Sequence, residues 1–238
     1  MYKKLGVFGL GIAMLFNIQL MAANIGFIEN PDIDPQDVIK KYITAVGGMA
    51  NISKIKNATM VMEAEFQGAK ITIKSISDQE KKRLVQETSF MGNVAQRTIL
   101  VDGKAKVTAM GQEQVLSEEM VEMMTSQTFV FPEAHYQALG YSLKVVGDEE
   151  VNGESAHILE ITAKNGMVTK EYYSKSSGLK LRTSSEATGD VNYGSYEKVD
   201  GVLVPKSISI KNPMLPVALE AKLVSIAFNT ALSDEDFK

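Results

Sequence analysis

ATMVMEAEF, residues 58–66, followed after Gln67-Gly68 by KITIKSI, residues 70–76, decides the reading of this chain. Met60, Met62, Ala64 and Phe66 alternate with Val61, Glu63, Glu65 and Gln67, a period of two that predicts a strand with one dry and one wet face. The same texture continues through RTILVD, HILEITA, VTKEYY, LKLRTSS, VLVPKSISI and KLVSIAF. Turn signals separate these runs at Gln67-Gly68, Met91-Gly92-Asn93, Asp102-Gly103, Asn152-Gly153, Asn165-Gly166, Ser177-Gly178, Thr188-Gly189 and Asp200-Gly201. Such dipeptides supply the positive φ angles of tight hairpins. Successive hairpins make chain neighbours into spatial neighbours, so the expectation is one meandering antiparallel sheet. A sheet with that many strands twists, curls, and closes or half-closes into a barrel. A parallel architecture would need crossover helices, and the sequence offers too few.

YYSKSSGLKLR, residues 172–182, sharpens the question of what the sheet encloses. Leu179 and Leu181 alternate with Lys180 and Arg182, which predicts an apolar face and a charged one. The apolar face covers either a packed core or a space kept open. Pro205, inside VLVPKSISI, predicts an edge or bulged position. The basic run Lys81–Arg83 follows Asp78 and Glu80 and reads as a solvated turn.

Two segments depart from the strand pattern. Asp34 can cap a helix, Pro35 suits its first position and Asp37 places negative charge in its first turn. Val38, Tyr42, Ala45 and Met49, widened by Ile39, Ile43 and Val46, form its apolar stripe, and Gly47-Gly48 end it. Residues 110–132, MGQEQVLSEEMVEMMTSQTFVFP, predict a second, short helix capped by Ser117. It carries Met120, Met123 and Met124, preceded by Met110 and followed by Phe129, Val130 and Phe131. Met is flexible and polarizable. The stripe is therefore either a plug in the core or a movable lid over an apolar cavity.

Lys3 and Lys4, an apolar run from Leu5 to Leu20, and Ala22-Ala23 have the layout of a cleaved secretory signal peptide over residues 1–23. A Pro- and Asp-bearing linker over 24–34 then leads into one domain over 35–238. There is no cysteine, so no lipid can be attached at one and no disulfide forms, which fits a bacterial periplasm. Removing Lys3 and Lys4 from 25 basic residues leaves 23 against 29 acidic, a net charge of −6. Such a surface does not attract nucleic acid.

The motifs of common hydrolases and nucleotide-binding enzymes are absent from the mature sequence. His135 and His157 are the only histidines and share no metal-ligand spacing. Glu63/Glu65 and Glu149/Glu150 read as solvent-facing charges. No catalytic residue, metal or cofactor is expected.

DVIKKYITAVGG, the LSEEM helix, EYYSKSSGLKLR, YEKVDGVLVPKSISI and IAFNTALSDEDF together resemble the bacterial LolA/LolB-like superfamily of periplasmic lipoprotein carriers over residues 35–238. The resemblance is nearest to Bacteroidetes domains of that kind, which occur alone or behind insulinase-type zinc peptidases. It implies a mainly β chain with a few helices: an unclosed antiparallel β-barrel, or half-barrel, covered by helices around an apolar cavity. It implies a non-enzymatic carrier of lipid or of lipoprotein acyl chains, with transient membrane contact. The alternative is a protein-interaction module of the cell envelope, accessory to a zinc peptidase. The expected ligand-binding set is Met62 and Phe66 on the strands, Met110, Met120, Met123, Met124, Phe129 and Phe131 in the cover, and Tyr173, Leu179 and Leu181 in the inner wall or its supporting layer. The resemblance also implies a basic residue latching the lid, a role that no motif assigns to Arg83, Arg97 or Arg182.

Overall fold

A computed structural model describes residues 33–186, 189–212 and 217–238. The expected signal peptide, the linker apart from Ile33 and Asp34, and Thr188 of one predicted turn lie outside the described residues. Helix α1 (Pro35–Ala45) and the single turn α2 (Met49–Ile52) come first. Six strands follow: β1 (Asn57–Phe66), β2 (Ala69–Asp78), β3 (Arg83–Phe90), β4 (Asn93–Val101), β5 (Lys104–Ala109) and β6 (Gln112–Val115). Helix α3 (Glu118–Ser126), a 3₁₀ turn (Pro132–His135) and α4 (Tyr136–Leu139) lead to the remaining strands. These are β7 (Ser142–Val151), β8 (Glu154–Thr162), β9 (Val168–Ser174), β10 (Lys180–Ser185), β11 (Gly189–Val199), β12 (Val202–Lys211) and β13 (Leu219–Phe228).

All 13 strands form one antiparallel sheet in the order β6-β5-β4-β3-β2-β1-β13-β12-β11-β10-β9-β8-β7. β6 and β7 are its two edges, yet they are consecutive in the chain. The meander thus runs outward from β1 to one edge, crosses by the α3–α4 segment, and returns from the other edge until β13 pairs with β1. The sheet is not closed into a barrel. Asp102-Gly103, Asn152-Gly153 and Asp200-Gly201 all adopt the left-handed φ that two-residue hairpins require. Residues 110–115, read above as the approach to a helix, instead form the Met110-Gly111 turn and β6.

Residues opposite one another in an antiparallel ladder share a face. The inner face is the one that carries α1 and α3. Asp34 caps α1 by accepting from the Gln36 N–H at 2.8 Å. Val38, Ile39, Tyr42 and Ile43 of α1, with Val46 at its end, pack on Val145, Leu159, Ile161, Tyr173, Val202 and Val204 of the sheet. Each such apolar side chain contributes about 1.5–3 kcal/mol. Gly47, at φ +132°, is required here because a Cβ would stand 2.6 Å from the Gly201 carbonyl oxygen. Met49 does not extend the stripe and is about half exposed.

The outer face has its own apolar patches. Ile76, Val85 and Ile99 are covered by Phe237 of the C-terminal 3₁₀ turn (Asp234–Phe237). Arg83 lies 3.9 Å over the Phe237 ring and bonds Asp78 at 2.8 Å and Asp234 at 2.8 Å. Only Lys81 and Lys82 of the basic run are therefore solvated, and Arg83 is buried. Pro205 sits within β12, an interior strand, opposite Tyr196, in a β11–β12 ladder whose register runs unshifted from Asp190 to Val199; nearby Ser195 has φ 44°. Neither the edge position nor a register-shifting bulge expected of Pro205 is found.

Candidate functional site

The inner face has three parts. One is the α1 core. Another lies under α3, where Met124 packs on Leu84, Leu100 and Ala105, with Leu116 and Val121 beside it. Between them, Met62, Ala64, Phe66, Ile71, Leu219 and Ala221 form an apolar patch of four strands, joined by Met60, Ile73, Ile208, Ile210 and Leu223. Among the described residues, no helix contributes a buried side chain to this patch. Leu223 touches both the patch and the α1 core, so the two are continuous.

The register explains the patch. Met60, Met62 and Ala64 face Ile226, Leu223 and Ala221 on β13, and on the other side Ser75, Ile73 and Ile71 on β2. Every charged residue of β1 to β5 and β13 falls on the opposite parity. Glu63 stands beside Lys222 and Thr72, Arg97 beside Glu87, and Lys74 beside Glu87. The inner face of these six strands is therefore free of charged side chains. Farther from β1 it turns polar but stays neutral: Ser75, Gln86 and Thr98 lie in one row, and Thr88 and Gln96 in the next.

The expected site residues scatter over this frame. Met62 and Phe66 are in the apolar patch. In the cover, Met124 is buried at 7% exposure, Met120 and Met123 are half-buried, and Ser117 caps the helix by accepting from the Met120 N–H. Phe131 belongs to the α1 core, and Phe129 stacks on His135 with ring centroids 4.1 Å apart. Met110 is away from the cover, 74% exposed at the tip of the β5–β6 hairpin. Tyr173 is packed solid under α1, 5.3 Å from the Tyr42 ring, and Leu179 packs beside that core.

Leu181 and Lys180 correct the sequence reading. A bulge between Lys180 and Arg182 breaks the alternation: Lys180 is paired with Tyr173, and Arg182 with Tyr172. Leu181 consequently packs with Tyr172 and Ile158 in an outer-face cluster, while Lys180 turns into the core. The inner wall does not include Leu181.

Buried Lys180 bonds two buried carboxylates, Glu171 on β9 at 2.6 Å and Glu133 on the 3₁₀ turn. Glu171 also accepts from the Tyr136 hydroxyl at 3.0 Å and from the Tyr173 hydroxyl. Glu133 Oε2 is buried without a partner. Burial pushes the Glu133 carboxyl above its ordinary value, with Lys180 opposing and Glu171 adding to the shift. Burial works to lower the Lys180 ammonium, but Glu133 and Glu171 outweigh it and hold it well above the usual lysine value. Glu171, with three donors, is the better match for the ammonium, and Glu133 is the group nearer protonation. No local pattern announces this triad, since its members lie on three elements and one is turned inward by the bulge. It ties the segment carrying α3 and α4 to β9 and β10.

Among the described residues no cluster of three or more His, Cys, Asp or Glu could hold a metal ion. A shallow groove of about 410 Å³ lies elsewhere, on the solvent side of α1, lined by Asp37, Lys40, Lys41, Thr44, Ala45 and Ser177. It is remote from the apolar patch.

No protein-family model matches the sequence, and no curated protein is similar to it. Solved structures are similar in fold. A LolA superfamily protein from Nitrosomonas europaea superposes with a TM-score of 0.57 at 10% identity, covering 87% of this chain and 98% of the other. A DUF1329 family protein from Desulfovibrio piger gives 0.55 at 15% identity, covering 87% and 98%. A putative outer membrane lipoprotein-sorting protein domain from Vibrio parahaemolyticus gives 0.53 at 14% identity, covering 85% and 95%. With its unclosed sheet of 13 strands and helices across the open side, the chain has the LolA/LolB-like fold.

Proposed function

We propose that the protein is a non-enzymatic periplasmic carrier that holds the acyl chains of a lipid or lipoprotein against the inner face of its sheet. The observation that carries this reading is the apolar patch on β1, β2, β12 and β13, to which no described helix contributes. Sequestering an acyl chain there is favourable by about 0.8 kcal/mol per buried methylene. The cover supports the reading as well. One buried methionine, Met124, anchors α3 to the sheet, so this cover opens at lower cost than α1, which buries four side chains. The patch opens toward the rim formed by the β1–β2, β3–β4 and β5–β6 turns, where Phe90, Met91, Val94 and Met110 are exposed. That rim is the part of the protein suited to approach a membrane during loading.

The test is native mass spectrometry of the protein purified from its own periplasm, with identification of any bound lipid. A stoichiometric acyl ligand is the expected result. Protein that is consistently ligand-free and also ignores fluorescent fatty-acid probes would exclude the carrier role and leave the envelope interaction module in its place.

A further inference from the structure

The inner face is divided into an apolar part and a neutral polar part, and this division bears on the ligand's chemistry. Successive rows of the ladder read Met60–Ser75–Gln86–Thr98–Val107 and Met62–Ile73–Thr88–Gln96–Ala109 across β1 to β5. Each row starts in the apolar patch and passes into hydroxyls and amides. Directly opposite residues stand about 4.5–5.5 Å apart at Cβ, so the polar group is within one or two strands of the patch. The next row, Ala58–Ser77–Leu84–Leu100–Ala105, includes the residues that Met124 covers. The polar group thus begins where α3 stops covering the sheet. Gln127, at the end of α3, accepts from the Gln86 amide at 2.7 Å, which places part of this group at the edge of the cover.

These side chains are not used up by one another. The one contact within the sheet is Gln96 Nε2 to Thr98 Oγ1 at 3.5 Å, at the limit of a hydrogen bond. Ser75 and Thr88 are half-buried and have no side-chain partner among the described residues. Amides and hydroxyls both donate and accept. No lysine, arginine or carboxylate of β1 to β5 or β13 shares this face.

We infer that Ser75, Gln86, Thr88, Gln96 and Thr98 receive the head group of the bound amphiphile, and that this head is uncharged and hydrogen-bonding, such as a glycerol ester or an amide. The inference rests on the carrier reading. An ionised head drawn off water here would meet no countercharge on β1 to β5 or β13, and burying an unpaired charge is far more costly than burying a hydroxyl that finds partners. A polyol or amide head finds partners of matching type, while its chain runs over Met60, Met62 and Ile73.

Glycerol monolaurate and laurate differ in the head alone and separate the two claims. Their affinities for the delipidated full-length mature protein are to be measured by displacement of a neutral fluorescent probe at about pH 8, where laurate is ionised. Glycerol monolaurate is expected to bind about tenfold more tightly or better. Gln86→Leu combined with Thr98→Val is expected to remove most of that preference while leaving the chain's own affinity. Thr88→Val, the milder change, should reduce it in part, and circular dichroism of each variant checks that the fold is kept. Equal binding of the two ligands, tighter binding of laurate, or a preference unchanged in both folded variants overturns the head-group assignment and leaves the carrier reading standing. Failure of both ligands to bind the wild-type protein overturns the carrier reading itself, and the head-group assignment with it.

Discussion

Beneath α1, four helix side chains and Val46 are buried against strands from β7 to β12, whereas beneath α3 the sheet receives one buried helix side chain, Met124. The α1 end adds a buried ion triad with tyrosine hydroxyls, and the α3 end leaves Met120 and Met123 half-buried. Both helices lie on the same face of the same sheet. The difference shows how one fold can combine a rigid end with a cover that lifts at low cost, since local stability follows the number of buried apolar contacts. The apolar patch lies between the two.

The largest effect should come from breaking the rigid end at its centre. Lys180→Met removes the one cation and leaves Glu133 and Glu171 facing each other in the core. Removing one partner of a buried ion pair costs about 3–5 kcal/mol. Urea unfolding is the measurement. Lys180→Met combined with Glu133→Gln and Glu171→Gln should recover much of the loss, because the uncompensated charges are gone. A single variant within about 0.5 kcal/mol of wild type would mean that the triad does not hold the α1 end together.

Met124→Ala comes next, with Met120→Ala and Met123→Ala for comparison. A buried methionine truncated to alanine costs about 2–5 kcal/mol when its surroundings are rigid. If α3 is a detachable cover, much of that loss appears as local opening. Amide hydrogen exchange should then accelerate across residues 118–126 while α1 stays protected. The two half-buried methionines should cost less than about 1 kcal/mol each. Equal acceleration in α1 and α3 would erase the distinction between the two ends.

How far the sequence reaches can be judged on the same two ends. Period-two alternation and Asx-Gly turns were enough to read β1, β2 and the meander, because both signals are local and the residues on β1 keep strict parity. The capped starts of α1 and α3 were readable for the same reason. Lys180 was not, since a bulge shifts parity at a place where LKLR alternates perfectly, and only the partner strand reveals the shift. The inner polar rows were also hidden. Gln86, Thr88 and Thr98 look like ordinary wet-face residues until the register places them beside Met60 and Met62. No local pattern marks Glu133, because its partner, Lys180, is 47 positions away.

A smaller effect, readable through pH, tests how the triad shares its charge. The Glu133 carboxyl is raised in the folded state, so the fold holds its proton more tightly than the unfolded chain does. This contribution is complete below the ordinary carboxylate value and is lost as pH rises through the raised one. Glu133→Gln cannot lose it. The variant should therefore gain stability relative to wild type as pH rises from about 4.5 upward. Parallel stability curves for the two proteins would show that Glu133 ionises normally in the core.

The smallest expected effect concerns the two rims of the sheet, which divide as sharply as the two ends of its inner face. On the rim near α1 the hairpins turn on Asp102-Gly103, Asn152-Gly153 and Asp200-Gly201, and charged residues flank them. On the opposite rim the left-handed positions are filled by Gln67, Met91 and Met110, with φ of 53°, 50° and 52°. The backbone N–H of Met91 bonds the Lys70 carbonyl at 2.9 Å, and that of Met110 approaches the Ala95 carbonyl at 3.4 Å, so these tips belong to adjacent hairpins. No charged residue occurs in 66–69, 89–96 or 107–112. Methionine gains nothing for the fold here. It pays the left-handed penalty that asparagine largely avoids, and at 68% exposure Met91 packs on little. Met91→Asn should accordingly stabilise the protein by about 0.5–1 kcal/mol, seen as a rise in Tm. The same variant should bind less well to neutral phosphatidylcholine vesicles, with little dependence on salt, because the tip has no charge to screen. Stabilisation with unchanged vesicle binding would assign the methionine to chance. Stabilisation with weaker binding would show that this rim gives up fold stability for contact with an apolar surface, as the α3 end gives up burial for the ability to open.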